Sequence, residues 1–301
     1  MLADKSNNKS DPKNSTENSN TDEGSSTAVE FQTKIMNLIL ERDLDQLRKM
    51  KLHQRNLNFL IDFPEVDIDS KISPLILASF LGSADVIKIL LQNPLLDIDL
   101  ESDETRFTPL AVACLAGNFE VVSLLLENEP EVNKPTALNQ TPLSLCFNRL
   151  NEETNTLENK IICFKMASLL LDSGADINWI VDKNKGLTML MQYCSIKQEM
   201  SEREKEANAD VIRFLLQHGA SKSLTSMKNK TCFDLAQKSS NKEAVLELLN
   251  QTQQIYFHKK RRPLRPIQNL PEKPMKNTDG LENCCSILPF LHKLNARSNR
   301  G

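Results

Sequence analysis

The stretch TPLAVACLAGNFEVVSLLL, Thr108 to Leu126, has a looser copy, SPLILASFLGSADVIKILL, from Ser73 to Leu91. A chain that writes one short helical unit more than once is tightly constrained. Each unit has one apolar face too large to leave wet and too small to close on itself, so the units must stack. Aligned on the Ser/Thr-Pro-Leu triplet, the unit starts at Ser73, Thr108 and Thr141, then recurs in degenerate form at Thr188 and Thr231. The second half of each unit carries an aliphatic core, reading IKILL, VSLLL, ASLLL, IRFLL and VLELL in turn. Two of the four steps are long because polar insertions enter them, NEETNTLENK near 151–160 and SIKQEMSEREKEANAD near 195–210. Upstream, Phe31, Ile35, Leu38 and Ile39 lie at helical spacing and a second amphipathic helix starts at about Asp43. Residues 31–60 thus read as a degenerate first unit.

The local chemistry agrees with paired helices. Thr108 is placed to cap the helix that Pro109 opens, because Pro is tolerated at the first helical position and Thr satisfies an orphan amide. Ala78 and Ala113 let adjacent helices approach, and Gly174 and Gly219 follow second helices, where a left-handed residue ends the helix.

These features resemble the ankyrin repeat: Thr108-Pro109-Leu110, Ala113, Gly117 and Leu124-Leu125-Leu126, with Gly174-Ala175-Asp176-Ile177-Asn178 and Gly219-Ala220 supplying the other half of the pattern. The resemblance covers about residues 31–250. It implies an all-α ankyrin-repeat α-solenoid of helix-turn-helix pairs joined by short β-hairpin-like loops. It also implies a non-catalytic adaptor or scaffold that binds another protein through its concave face and hairpin tips. The sequence departs from the family at the usual His of TPLH, replaced by Ile76, Ala111, Ser144, Met191 and Asp234. That points to weaker, more adaptable repeats. Asn148-Arg149-Leu150 stands where the third clear unit would carry its turn glycine.

Composition sets the flanks. Residues 1–28 are mostly Asn, Ser, Thr, Asp and Lys, too polar to offset their ordering entropy, and read as disordered. Residues 29–250 read as the repeat domain and 251–301 as a Pro-containing tail. The net charge of −3 hides an asymmetry: −3 over residues 1–30, −7 over 31–250 and +7 over 251–301. Lys259-Lys260-Arg261-Arg262 in the tail reads as a nuclear-import signal or an anionic contact. Cys284-Cys285 reads as incidental to a tail helix, and the neighbouring ILPFLHKL as a segment that docks on a partner or back on the stack.

No catalytic or metal constellation is visible. The four His are scattered, and His218 falls where a cation suits a helix end. No phosphate-binding glycine loop is present, and no cofactor is implied. The seven Cys form no CxxC, and five lie in apolar helical patterns, as reduced cytosolic or nuclear thiols would. No run is long and apolar enough for a membrane helix. The acidic body disfavours nucleic acid. The expected protein is a cytoplasmic monomer with a nuclear alternative.

Carried over by position, partner-binding residues are Phe80, Leu81 and Leu115 on the inner helices, Phe107 extending that apolar strip, and Asp103 and Glu104 steering a basic partner. Trp179, Lys183 and Lys185 add a later hairpin tip. Trp179 fits two roles, an exposed anchor or a wedge between the two long units. Two further functional readings stay open: a nuclear regulator masking a transcription or cell-cycle partner, and a targeting subunit of a phosphatase, kinase or ubiquitin ligase.

Overall fold

The computed structural model describes residues 22–65, 70–148, 150 and 157–251, with side chains from residue 28 onward. Five turns of capping chemistry set its register. Ser73, Thr108, Thr141, Thr188 and Thr231 each accept a hydrogen bond from the backbone amide three residues on, from Ile76, Ala111, Ser144, Met191 and Asp234. Pro74, Pro109 and Pro142 occupy the first helical positions behind three of these caps, where no amide is needed.

Each cap opens a short inner helix followed by an outer one. The pairs are α1 (Asp22–Leu40) with α2 (Leu44–Lys49), α3 (Pro74–Phe80) with α4 (Ala84–Leu90), and α5 (Pro109–Ala116) with α6 (Phe119–Leu126). They continue with α7 (Pro142–Asn148) and α8 (Leu157–Asp172), α9 (Met189–Cys194) and α10 (Glu202–Gln217), and α11 (Cys232–Ala236) and α12 (Lys242–Gln251). The first pair is a genuine member of the stack, with α1 lying on α3 and α2 on α4. Its inner helix starts at Asp22, inside the segment expected to be disordered. The rest of that segment, residues 1–21, lies outside the described residues, as does the tail from 252.

Where they are described, the polar insertions are helical apart from the loop at residues 195–201. Leu157–Lys160 is the first turn of α8, and residues 202–210 are the first half of α10, opened by a reciprocal capping box between Ser201 and Glu204. Both therefore lengthen outer helices to 16 residues. Lys160 of α8 pairs with Asp210 of α10, which also holds Arg213, so the two lengthened helices are tied together.

The inner layer is packed in two ways. From α3 to α7 the backbones run close together, spaced by Ala78, Ala113 and Cys146, all fully buried. Between α7 and α9, and between α8 and α10, the helices stand further apart. Aromatic rings fill that gap. Phe147 lies 6.0 Å from Phe164, 6.5 Å from Tyr193 and 5.7 Å from Phe214, and Phe164 lies 5.1 Å from Phe214. His218 caps α10, stacks at 4.0 Å on Phe214 and puts Nδ1 2.9 Å from the Phe214 carbonyl oxygen, which is a structural role.

Candidate functional site

Between helix pairs the chain turns out into loops that share one backbone plan. Two residues before each capping Thr the chain is left-handed, at Arg106, Asn139 and Asn229 with φ of 53°, 61° and 51°. That residue closes a tight turn in which Ser102 N–H donates to the Phe107 carbonyl, Thr136 N–H to Gln140 and Ser226 N–H to Lys230. In the fourth unit the turn widens into a true hairpin, β1 (Ile180–Asp182) against β2 (Leu187–Thr188).

The hairpins are fastened edge to edge. Ala137 N–H donates to the Thr105 carbonyl and Met227 N–H to the Lys185 carbonyl, each at 3.0 Å. The Asn139 amide donates to the Ile180 carbonyl, while the Trp179 indole N–H donates back to the Asn139 carbonyl at 3.2 Å. Behind them runs a second line of side-chain acceptors. Asn58, Asp99, Asn133 and Asn178 receive the backbone amides of Asp97, Glu131, Asp176 and Ser221 in the next unit. Sequence inspection missed this line, although GADIN carries its residue at Asn178.

Asp99 is the exception among these acceptors. Asn58 and Asn133 also donate their amide hydrogens, to the carbonyls of Leu95 and Gly174. Asp99 has no such hydrogen, and its Oδ1 is buried without a partner among the described residues. Burial pushes its carboxyl above the usual range, against the pull of the Glu131 amide and Lys134.

The expected apolar strip is corrected. Phe80, Leu81, Phe107 and Leu115 are each at most 9% exposed and belong to the main core. The cause is helix geometry. Phe80 and Leu81 lie four residues after Ile76 and Leu77, and Leu115 lies four after Ala111, on helices short and crowded enough to bury every residue from Pro74 to Phe80 and from Pro109 to Ala116. The first unit adds to the cover, with Arg42 donating to the Leu81 carbonyl at 3.0 Å.

Asp103 and Glu104 are exposed, but Asp103 is occupied. Its carboxylate accepts from Ser70 Oγ and the amides of Lys71 and Glu104. Partial burial opposes its charge, yet those hydrogen bonds hold the carboxyl below its usual range. Glu101 beside it is held low chiefly by Arg106, at 2.7 Å, with help from Lys134 at 3.4 Å.

The later tips are more open. Trp179 is half-buried against the Asn139 hairpin, while Lys183 and Lys185 are exposed, the latter 3.2 Å from Asp182. Leu138, Ile180 and Met227 are exposed apolar side chains on three successive hairpins. Lys259, Lys260, Arg261 and Arg262, together with Cys284 and Cys285, lie outside the described residues.

Among the described residues no group of three His, Cys, Asp or Glu could hold a metal, and no helix is long and apolar enough to cross a membrane. The five Cys of the repeats are buried, and burial pushes the Cys194 and Cys232 thiols up, away from the reactive thiolate. No curated protein matches the chain. Residues 49–136 match the family of ankyrin repeats in three copies. Ankyrin repeats generally mediate protein–protein interaction. The chain therefore contains ankyrin repeats over residues 49–136, and the later capped helix pairs continue the same register.

Proposed function

We propose that this protein is a non-catalytic adaptor that holds a partner protein along its hairpin row, with the units from Thr136 to Lys230 making the principal contact. The observation that carries the reading is the run of exposed apolar side chains, Leu138, Ile180 and Met227, on successive hairpins. These are tied together by hydrogen bonds from the Asn139 side-chain amide to the Ile180 carbonyl and from the Met227 N–H to the Lys185 carbonyl. Apolar side chains displayed in a row on a rigid support are costly to leave in water and are the ordinary mark of a contact surface. Trp179, half-buried beside them, presents an anchor whose orientation is fixed by its bond to Asn139.

The test is affinity capture by the full chain and by an Ile180→Asp/Met227→Asp variant. Both positions are exposed, so circular dichroism of the variant should match the parent. The expected result is a set of proteins retained by the parent and lost by the variant. An unchanged set would move recognition off the hairpin row, and an empty set from the parent would remove the adaptor reading.

A further inference from the structure

The hairpin row is electrically polarised. The loop before the α5 cap carries Asp97, Asp99, Glu101, Asp103 and Glu104 against Arg106, a net −4. The next carries Glu127, Glu129 and Glu131 against Lys134, a net −2. In the fourth unit Asp176 and Asp182 balance Lys183 and Lys185, a net of 0, and the fifth presents Lys222, Lys228 and Lys230 with no acid between Lys222 and Lys230, a net +3. The acid excess ends at the aromatic seam and gives way to a basic excess in the fifth unit, within a body whose total is −7 over residues 31–250.

The two ends differ in how much of that charge is available. At the acidic end Asp103 is occupied by Ser70 and Lys71, Glu101 by Arg106 and Lys134, and Asp99 is half-buried under the Glu131 amide. At the basic end Lys222 is bonded to the Leu249 carbonyl and Lys185 to Asp182. Lys183, Lys228 and Lys230 are exposed, and none of the three has an ion pair among the described residues. Lys230 does lend its field to Asp234. The apolar tips Ile180, 48% exposed, and Met227, 69% exposed, stand on the same two hairpins, joined by the Met227 N–H to Lys185 carbonyl bond.

From this we infer that the partner segment held by the fourth and fifth hairpins is acidic and carries apolar side chains, its carboxylates meeting Lys183 and Lys228 while its apolar groups cover Ile180 and Met227. The inference rests on the adaptor reading and names the chemistry of that same surface. The chain's own ends do not fit. The tail, at +7, has the same sign as the exposed lysines of those hairpins, and residues 1–21 balance Lys5, Lys9 and Lys13 against Asp4, Asp11 and Glu17. Complementary charge chiefly fixes register and speeds encounter, while the apolar tips supply burial.

The experiment uses the full chain and three fluorescein-labelled peptides, followed by anisotropy: one alternating Glu with Leu, one alternating Lys with Leu, and one alternating Glu with Ser. The first should bind, weaken with added salt, and weaken on the order of tenfold in Lys183→Glu/Lys228→Glu. Neither lysine supports the fold, and Glu104→Lys at the other end should leave that binding unchanged. Stronger binding of the Lys-Leu peptide would overturn the assignment of sign, and equal binding of the Glu-Ser peptide would overturn the apolar part. Equal binding of phosphatidylserine vesicles, or concentration-dependent self-association abolished by the same two substitutions, would replace the acidic protein segment with a lipid surface or a second copy. If the peptides fail while affinity capture still depends on Ile180 and Met227, the adaptor reading stands and the acidic-partner inference falls.

Discussion

The stack from α3 to α7 and the stack from α9 to α12 solve the same packing problem with different materials. In the first, small side chains at Ala78, Ala113 and Cys146 let inner helices lie close, and neighbours are stitched through backbone carbonyls. The Asn118 amide, for instance, donates to the carbonyls of Ser79 and Phe80 at 2.8 and 3.0 Å. At the join to the second, four rings hold the helices apart, and the lengthened α8 and α10 are bridged by Lys160 and Asp210. Backbone stitching leaves little freedom in unit spacing. Ring packing tolerates more, which suits a join that takes in two insertions.

The largest test of this contrast is Phe147→Ala. Its ring is fully buried and reaches three others, so truncation should cost about 3–5 kcal/mol. Urea unfolding gives the size, and hydrogen exchange gives the place. Protection should fall in α9 to α12 more than in α3 to α6. An equal fall throughout would mean that the seam is no boundary and the stack opens as one unit.

Gly82→Ala probes the stitched side. Gly82 has φ of +66°, and an added Cβ would sit 2.7 Å from Asn118 Oδ1. Left-handed strain and the disturbed Asn118 bonds should together cost roughly 2 kcal/mol. Thermal melts read this directly, and a loss within a few tenths of a kcal/mol of zero would show that the stitch is slack.

Asp99→Asn should act in the opposite direction. It supplies the amide hydrogen that Asn58 and Asn133 already use, and should stabilise by about 1 kcal/mol at neutral pH. The sign with pH follows from the raised carboxyl. The folded state holds the Asp99 proton more tightly, so this group's contribution is fully present below the unfolded pKa of about 3.9 and is lost as pH rises through the folded value. The variant's melting temperature should therefore lack that decline. If parent and variant keep the same pH profile, Asp99 is not a titrating member of the line.

Much of the fold was legible because its signals are local. Thr108 followed by Pro109 specifies a helix start by itself, and three such starts with degenerate copies at Thr188 and Thr231 define a solenoid. Ser201 and Glu204 likewise announced a helix inside an insertion read only as added polar length. What could not be read was burial at helix ends. Leu115 is apolar whether it faces water or a neighbour, and only the crowding around Ala111 and Ala113 decides between them. The aromatic seam left no signal either, since Phe147, Phe164, Tyr193 and Phe214 come from four helices with no common spacing. At the hairpins, the charges of Asp103 and Lys183 were visible, but not that one is occupied and the other free.

The line of Asn and Asp acceptors has a consequence for how the chain comes to be folded at all. Each of its rungs closes a loop of 32 to 43 residues, one repeat long, and none spans the molecule. Loop closure is therefore cheap at every step, and no early residue waits for a late one. A unit leaving the ribosome needs only the unit before it to complete its rung. The protein can be assembled in the order in which it is translated, each finished unit serving as the template for the next.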